Sequence, residues 1–131
     1  MAKDDKRTPA PATVGKVRWR KDVAEHDYAA AAAYLSLKLT DAEVKKIVAK
    51  LQKAQLTTRP ANDVLRAAGL TAAPLEDPGV MKDLIKVVEG LELSPVLVIN
   101  TDGRADIADG FHRVSLVYRL DPYGEVPLKL A

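Results

Sequence analysis

The first half of the chain places apolar residues at helical spacing, and residues that start helices precede two of these stretches. In residues 28–39 the apolar positions recur every three or four residues, and Asp27 is the predicted N-cap. Thr40 and Glu43 match a capping box, which predicts that a second helix begins there. Its expected buried face consists of Val44, Ile47, Val48 and Leu51.

Two shorter helices are predicted next. Pro60 suits a first helical turn and Gly69 suits the position after the last turn, so residues 60–68 are predicted to be helical. Asp77 opens a further helix that Gly90 ends. The expected inner face of that helix consists of Val80, Leu84, Val87 and Val88.

The apolar pattern then changes from helical spacing to short runs that are typical of strands. The predicted elements are a buried strand at 95–99, a hairpin turn at 101–104, a returning strand at 105–108, a helix at about 110–119 and a last strand at 125–130. Pro127 places that last strand near a sheet edge, and residues 17–20 suggest a short edge strand. The order of elements predicts an α+β fold, with N-terminal helices packed on a small mixed β-sheet.

Charged residues are distributed unevenly along the 131 residues of the chain. Residues 1–22 hold seven Lys and Arg against three Asp, whereas residues 23–131 hold thirteen Lys and Arg against fifteen Asp and Glu. We therefore predict a disordered basic tail at 1–16, able to make weak nucleic-acid contacts, and a single domain at 17–131.

The composition also excludes several classes of function. The absence of cysteine excludes disulfides, thiolate metal sites and cysteine nucleophiles. The sequence shows neither a signal peptide nor an apolar run of the roughly 18–20 residues that span a bilayer, so we expect a cytoplasmic protein without membrane contact.

The stretch from Asp109 to Arg113, Asp-Gly-Phe-His-Arg, runs from a predicted strand directly into a predicted helix. The first amides of a helix have no internal partner, and such a helix end attracts phosphate. Gly110 allows close approach, Arg113 offers a fork of donors, and His112 can donate or accept a proton. Asp109 suits Mg²⁺ or a helix cap. A purely structural turn, with a cap and surface groups, remains an alternative.

This stretch also carries a resemblance. Together with the runs Val96–Ile99 and Val126–Leu128, it resembles the ParB/sulfiredoxin-like superfamily over about residues 80–130, including short bacterial ParB-like proteins. The resemblance implies nucleotide phosphates, from ATP or CTP, bound with Mg²⁺ at the turn. The residues implied to bind the nucleotide or its phosphates are Asp109, Gly110, Phe111, His112 and Arg113. Asp109 cannot bind phosphate directly and is the implied metal ligand.

The same resemblance limits the function. Phe111 stands where sulfiredoxins have their catalytic cysteine, so sulfiredoxin chemistry is excluded. The resemblance makes a catalytic carboxylate outside the turn attractive, and Glu25, His26 and Asp27 are candidates beside His112. The simpler interpretation of residues 25–27 is a helix cap and its flank. Arg59 is a candidate for the outer phosphates, or for an ion pair with a neighbouring carboxylate.

Two functions are therefore weighed. The first is a nucleotide-binding ParB-like domain, with phosphotransfer or nucleotide hydrolysis by a Mg²⁺-dependent kinase or hydrolase as its enzymatic form. The alternative is a non-enzymatic interaction or DNA-associated module without its own helix-turn-helix. A homodimer is compatible with either function.

Overall fold

The computed structural model describes residues 16–131, and it confirms the α+β class. Five helices and six strands occur in this part of the chain: β1 (Arg18–Trp19), α1 (Glu25–Leu35), α2 (Asp41–Lys53), β2 (Thr57–Pro60), α3 (Ala61–Ala68), α4 (Pro78–Val88), β3 (Glu92–Leu93), β4 (Val96–Thr101), β5 (Arg104–Asp109), α5 (Phe111–Leu120) and β6 (Glu125–Leu130). Apart from Lys16, the predicted tail lies outside the described residues. None of these five helices is long and apolar enough to cross a membrane.

The main sheet is mixed, as predicted, with the strand order β2-β6-β4-β5. The hairpin of β4 and β5 is confirmed, and its turn residues Asp102 and Gly103 have φ angles of 53° and 77°. Strand β6 runs parallel to β4, with Leu128 opposite Val96, and antiparallel to β2. Strands β1 and β3 form a separate parallel pair.

The last strand is not at an edge, which corrects the prediction drawn from Pro127. Strand β6 lies between β2 and β4, and β2 was not predicted as a strand. Proline fits here because β6 begins to pair with β4 only at Leu128, so Pro127 has β2 alone alongside it, opposite Thr58. A missing amide is tolerated where a strand has a neighbour on one side only.

The predicted starts of α2 and α4 are confirmed, and those of α1 and α3 are wrong. Pro60 is the extended N-cap of α3, which begins at Ala61, and does not lie in its first turn. Thr40 forms the capping box with Glu43, and Asp77 caps α4. Helix α1, however, begins at Glu25, and its N-cap is Ala24. Asp27 therefore lies inside the first turn and is buried, so it cannot be the N-cap.

The core lies on both faces of the main sheet. Alternate residues of β4 point to opposite sides, so Val96 and Val98 pack with α3 and α5, whereas Leu97 and Ile99 pack with α1 and α2. Burial on both faces explains why this strand is a continuous apolar run. A third cluster joins α4, α5 and β3. Val88 was predicted to lie on the inner face of α4, but it is exposed.

Candidate functional site

The turn between β5 and α5 depends on a glycine. Gly110 has a φ of +113°, a conformation that side chains disfavour. A Cβ at this position would lie 2.8 Å from Cγ2 of Val96 and 3.1 Å from Nη2 of Arg113. The absence of a side chain thus lets the turn lie directly against β4 and allows Arg113 to fold back beneath it.

Arg113 is held between two carboxylates. Its Nη1 donates to Oδ2 of Asp27 at 2.8 Å and to the Ser94 carbonyl at 2.9 Å, and its Nη2 donates to Oδ2 of Asp109 at 2.6 Å. The Arg113 side chain is only 12% exposed. We call Asp27, Arg113 and Asp109 the ion triad. Because the triad occupies both terminal nitrogens, Arg113 does not present a free donor fork to phosphate.

The ion triad perturbs the pKa values of its members. Burial opposes ionisation of Asp27, but hydrogen bonds to Arg113 and Ser94 outweigh it and lower the pKa of that carboxyl. Burial raises the pKa of Asp109, and the nearby charge of Asp27 acts in the same direction. Asp27 is consequently the more strongly ionised partner, which makes it a poor general base.

His112 lies against the start of another helix. Its Nε2 is 3.3 Å from Oδ2 of Asp77, and that oxygen also accepts hydrogen bonds from the amides of Gly79 and Val80. A Cβ on Gly79 would be 2.5 Å from Nδ1 of His112, so this glycine makes room for the imidazole. The side chain of His112 remains half exposed.

The structure separates the candidates at the start of α1 from one another. Asp27 and His26 both line the cleft described below, and Nε2 of His26 lies 3.2 Å from Oδ1 of Asp27. Glu25 is exposed and does not line this cleft. Arg59 does not line it either, since its Nη1 donates to the Thr57 side chain and the Thr58 carbonyl. Neither Glu25 nor Arg59 is brought to the turn.

A cleft of about 530 Å³ opens in front of the turn. The candidates found in its lining are His26, Asp27, Asp109, Gly110, Phe111, His112 and Arg113. Its lining also includes polar and charged residues that were not predicted: Arg20, Lys82, Asp83, Lys86, Glu92 and Ser94. The sequence did carry one signal, because Lys82, Asp83 and Lys86 share a face of α4 with Gly79. Nothing local indicated that this face points towards the turn.

The start of α5 opens into this cleft without a side-chain cap. Among residues 16–131, no acceptor contacts the amides of Phe111, His112 or Arg113. Helix α3 also has no side-chain cap, but its first two amides donate to the Gly124 and Pro122 carbonyls. The α5 amides therefore remain available to an anion, at the positive end of the helix dipole.

A larger cleft of about 690 Å³ lies between α1, β5 and the end of α3, away from Arg113. Three of its polar side chains are paired with one another, since Asp106 accepts hydrogen bonds from both Tyr34 and Lys38. This pairing leaves fewer groups for a ligand than the cleft in front of α5 offers.

The chain was compared with models of protein families, with curated proteins and with solved structures, and none of the three comparisons gave a match. Within the described residues there is also no group of three His, Asp or Glu side chains arranged to hold a metal ion. The interpretation of the cleft therefore rests on its own geometry.

Proposed function

We propose that the cleft binds the phosphate groups of a nucleoside triphosphate, ATP or CTP, at the start of α5. The observation that carries the proposal is the set of uncapped amides of Phe111, His112 and Arg113, which open into a cleft lined by Lys82 and Lys86. Neither lysine forms an ion pair with any residue from 16 to 131. Free amides and free ammonium groups are the donors that phosphate oxygens prefer.

The charge of the lining supports a requirement for Mg²⁺. Four cationic side chains (Arg20, Lys82, Lys86 and Arg113) face four carboxylates (Asp27, Asp83, Glu92 and Asp109), so their formal charges cancel. A neutral cleft gives a bare triphosphate little net attraction. Mg²⁺ carried by the phosphates supplies the missing positive charge, and such ions usually need only one or two protein carboxylates. The ParB-like resemblance agrees with this choice of ligand.

In this proposal the ion triad positions the turn and does not contact phosphate. Arg113 holds Asp27 and Asp109 in place, and the phosphate ligands are the α5 amides, His112, Lys82 and Lys86. Binding is the function the geometry supports best. The low pKa of Asp27 and the position of Glu25 outside the cleft favour binding over phosphotransfer or hydrolysis.

The proposal is tested by titrating ¹⁵N-labelled protein with ATP, CTP and ADP, with and without Mg²⁺. We expect saturable shifts of the amides from Gly110 to Arg113 with a triphosphate and Mg²⁺. Lys82→Ala combined with Lys86→Ala should weaken binding by about tenfold or more, because two charged donors are lost. No saturable shift with any of these ligands overturns the proposal.

A matched pair of lysines provides the control. Lys46 and Lys50 have the same spacing on α2, are exposed and lie outside the cleft lining. Alanine at both positions should leave the affinity unchanged. If this pair weakens binding as much as the cleft pair, the attraction is general and the DNA-associated alternative gains support. In that case binding should also fall steeply with salt and require residues 1–15.

A further inference from the structure

One carboxyl group in the cleft has no role in the ion triad. Asp83 lies on the inner side of α4, is only 8% exposed, and lines the cleft with the turn. No hydrogen bond or ion pair joins its side chain to any residue between 16 and 131. It is a buried polar group that lines the cleft and has no donor among residues 16–131.

An unpaired buried carboxyl is unusual because it destabilises the folded state. A polar group that loses water without gaining a partner costs about 1–3 kcal/mol, and more when it is charged. Burial accordingly raises the pKa of Asp83, against the attraction of Arg113, Lys86, His112 and Lys82. Native structures pair most such groups, so an exception in a cleft indicates a partner beyond the described residues, and a ligand of the cleft is such a partner.

The position of Asp83 defines what that partner can be. Asp83 follows Gly79 by one helical turn, about 6 Å along α4, and Gly79 contacts the imidazole of His112 at the start of α5. A ligand with its phosphates on α5 therefore places its next chemical group near Asp83. A carboxylate repels phosphate oxygens, so that group must carry hydrogen-bond donors.

We propose that Asp83 accepts hydrogen bonds from the ribose hydroxyls of the bound nucleotide, and so distinguishes a ribonucleotide from other phosphate compounds. This inference rests on the proposed function. It identifies the part of the ligand, next to the phosphates, that the phosphate site itself does not determine. A ribose diol supplies two adjacent donors close to the phosphates, and an acidic side chain is a common acceptor for it in nucleotide sites.

The test compares three ligands in the presence of Mg²⁺: ATP or CTP, the matching 2′,3′-dideoxynucleotide, and inorganic tripolyphosphate. With the unmodified protein we expect the dideoxy analogue and tripolyphosphate to bind about tenfold more weakly than the ribonucleotide, measured by calorimetry. Asp83→Ala should remove this preference. It should weaken binding of the ribonucleotide without weakening binding of the other two ligands.

Glu92 supplies a matched control, because it is a carboxylate of the same cleft but is exposed. Glu92→Ala should keep the preference for ribose. If the dideoxy analogue binds as well as the ribonucleotide, or Asp83→Ala weakens all three ligands equally, this inference is wrong while the phosphate site stands. If none of the three binds, both the inference and the proposed function are overturned.

Discussion

Replacing Arg113 with alanine should cause a large loss of stability. The change removes three hydrogen bonds, to Asp27, Asp109 and the Ser94 carbonyl, and leaves two carboxylates facing each other. The Asp27 side chain is 7% exposed and that of Asp109 is 21% exposed, so water cannot fully replace the guanidinium. Removing one partner of a buried ion pair costs about 3–5 kcal/mol. The whole stability of a domain is about 5–15 kcal/mol.

Urea unfolding at neutral pH, followed by circular dichroism, measures this loss. With a slope of about 1–3 kcal/mol per molar urea, a loss of about 3–5 kcal/mol should lower the midpoint by about 1–5 M. Arg66→Ala is the control, because Arg66 forms an exposed pair with Asp63 and should lose less than about 1 kcal/mol. A loss below about 1 kcal/mol for Arg113→Ala would refute the view that the ion triad holds the turn.

The role of Arg113 in holding the turn limits what its substitution can reveal about ligand binding. Loss of nucleotide binding in the Arg113→Ala protein would not identify Arg113 as a phosphate ligand, because the turn itself depends on this side chain. The cleft lysines of α4 are better probes, since Lys82 is exposed, Lys86 is half-buried and neither takes part in the ion triad.

Three further substitutions test the geometry around the cleft. Gly110→Ala should lower the stability in urea unfolding by more than Gly103→Ala does. Both glycines have a positive φ, but only at position 110 would the added Cβ press against β4. Equal losses for the two variants would contradict this close contact. Gly79→Ala should displace the imidazole of His112, seen as shifted histidine ring signals in NMR spectra, while the domain stays folded; unchanged ring signals would show that the contact is absent. Asp83→Asn should raise the melting temperature by a few degrees at pH 7, because burial raises the pKa of this carboxyl and its ionisation therefore opposes folding. That gain should shrink as the pH falls towards about 3.9, the ordinary pKa of aspartate, and a gain independent of pH would refute the assignment.

Local sequence rules succeeded where the deciding partners are close in the chain. The capping box needs only Thr40 and Glu43, and both of its hydrogen bonds are present. The α5 helix and the hairpin before it were likewise predicted from spacing and turn residues. Elements of this kind carry their own signal, because their interactions span few residues.

The same rules failed where the partner is distant. Asp27 is of a residue type that often caps helices and precedes the predicted apolar pattern, yet its carboxylate binds Arg113, 86 residues away. Pro127 suggested an edge because β2 is short and polar and gave no strand pattern. The face of α4 that carries Lys82 could be seen in the sequence, but only the packing of α4 against α5 directs it into the cleft.

The departures from local stability rules are gathered around one cleft. Away from the cleft, the capping box of α2 and the left-handed Gly69 that ends α3 satisfy the backbone groups at those two helix ends. Around the cleft, Gly110 holds a conformation that other residues disfavour and α5 begins without a side-chain cap. Asp83 is buried there without a donor from residues 16–131. The missing cap and the unpaired carboxyl each lower stability, and both present polar groups to the same cavity, while Gly110 leaves open space beside them. Sequences selected for stability alone would remove such features singly, because many substitutions can do so. Their concentration at one place is what a binding site requires, since its polar groups must be left unpaired until a ligand pairs with them.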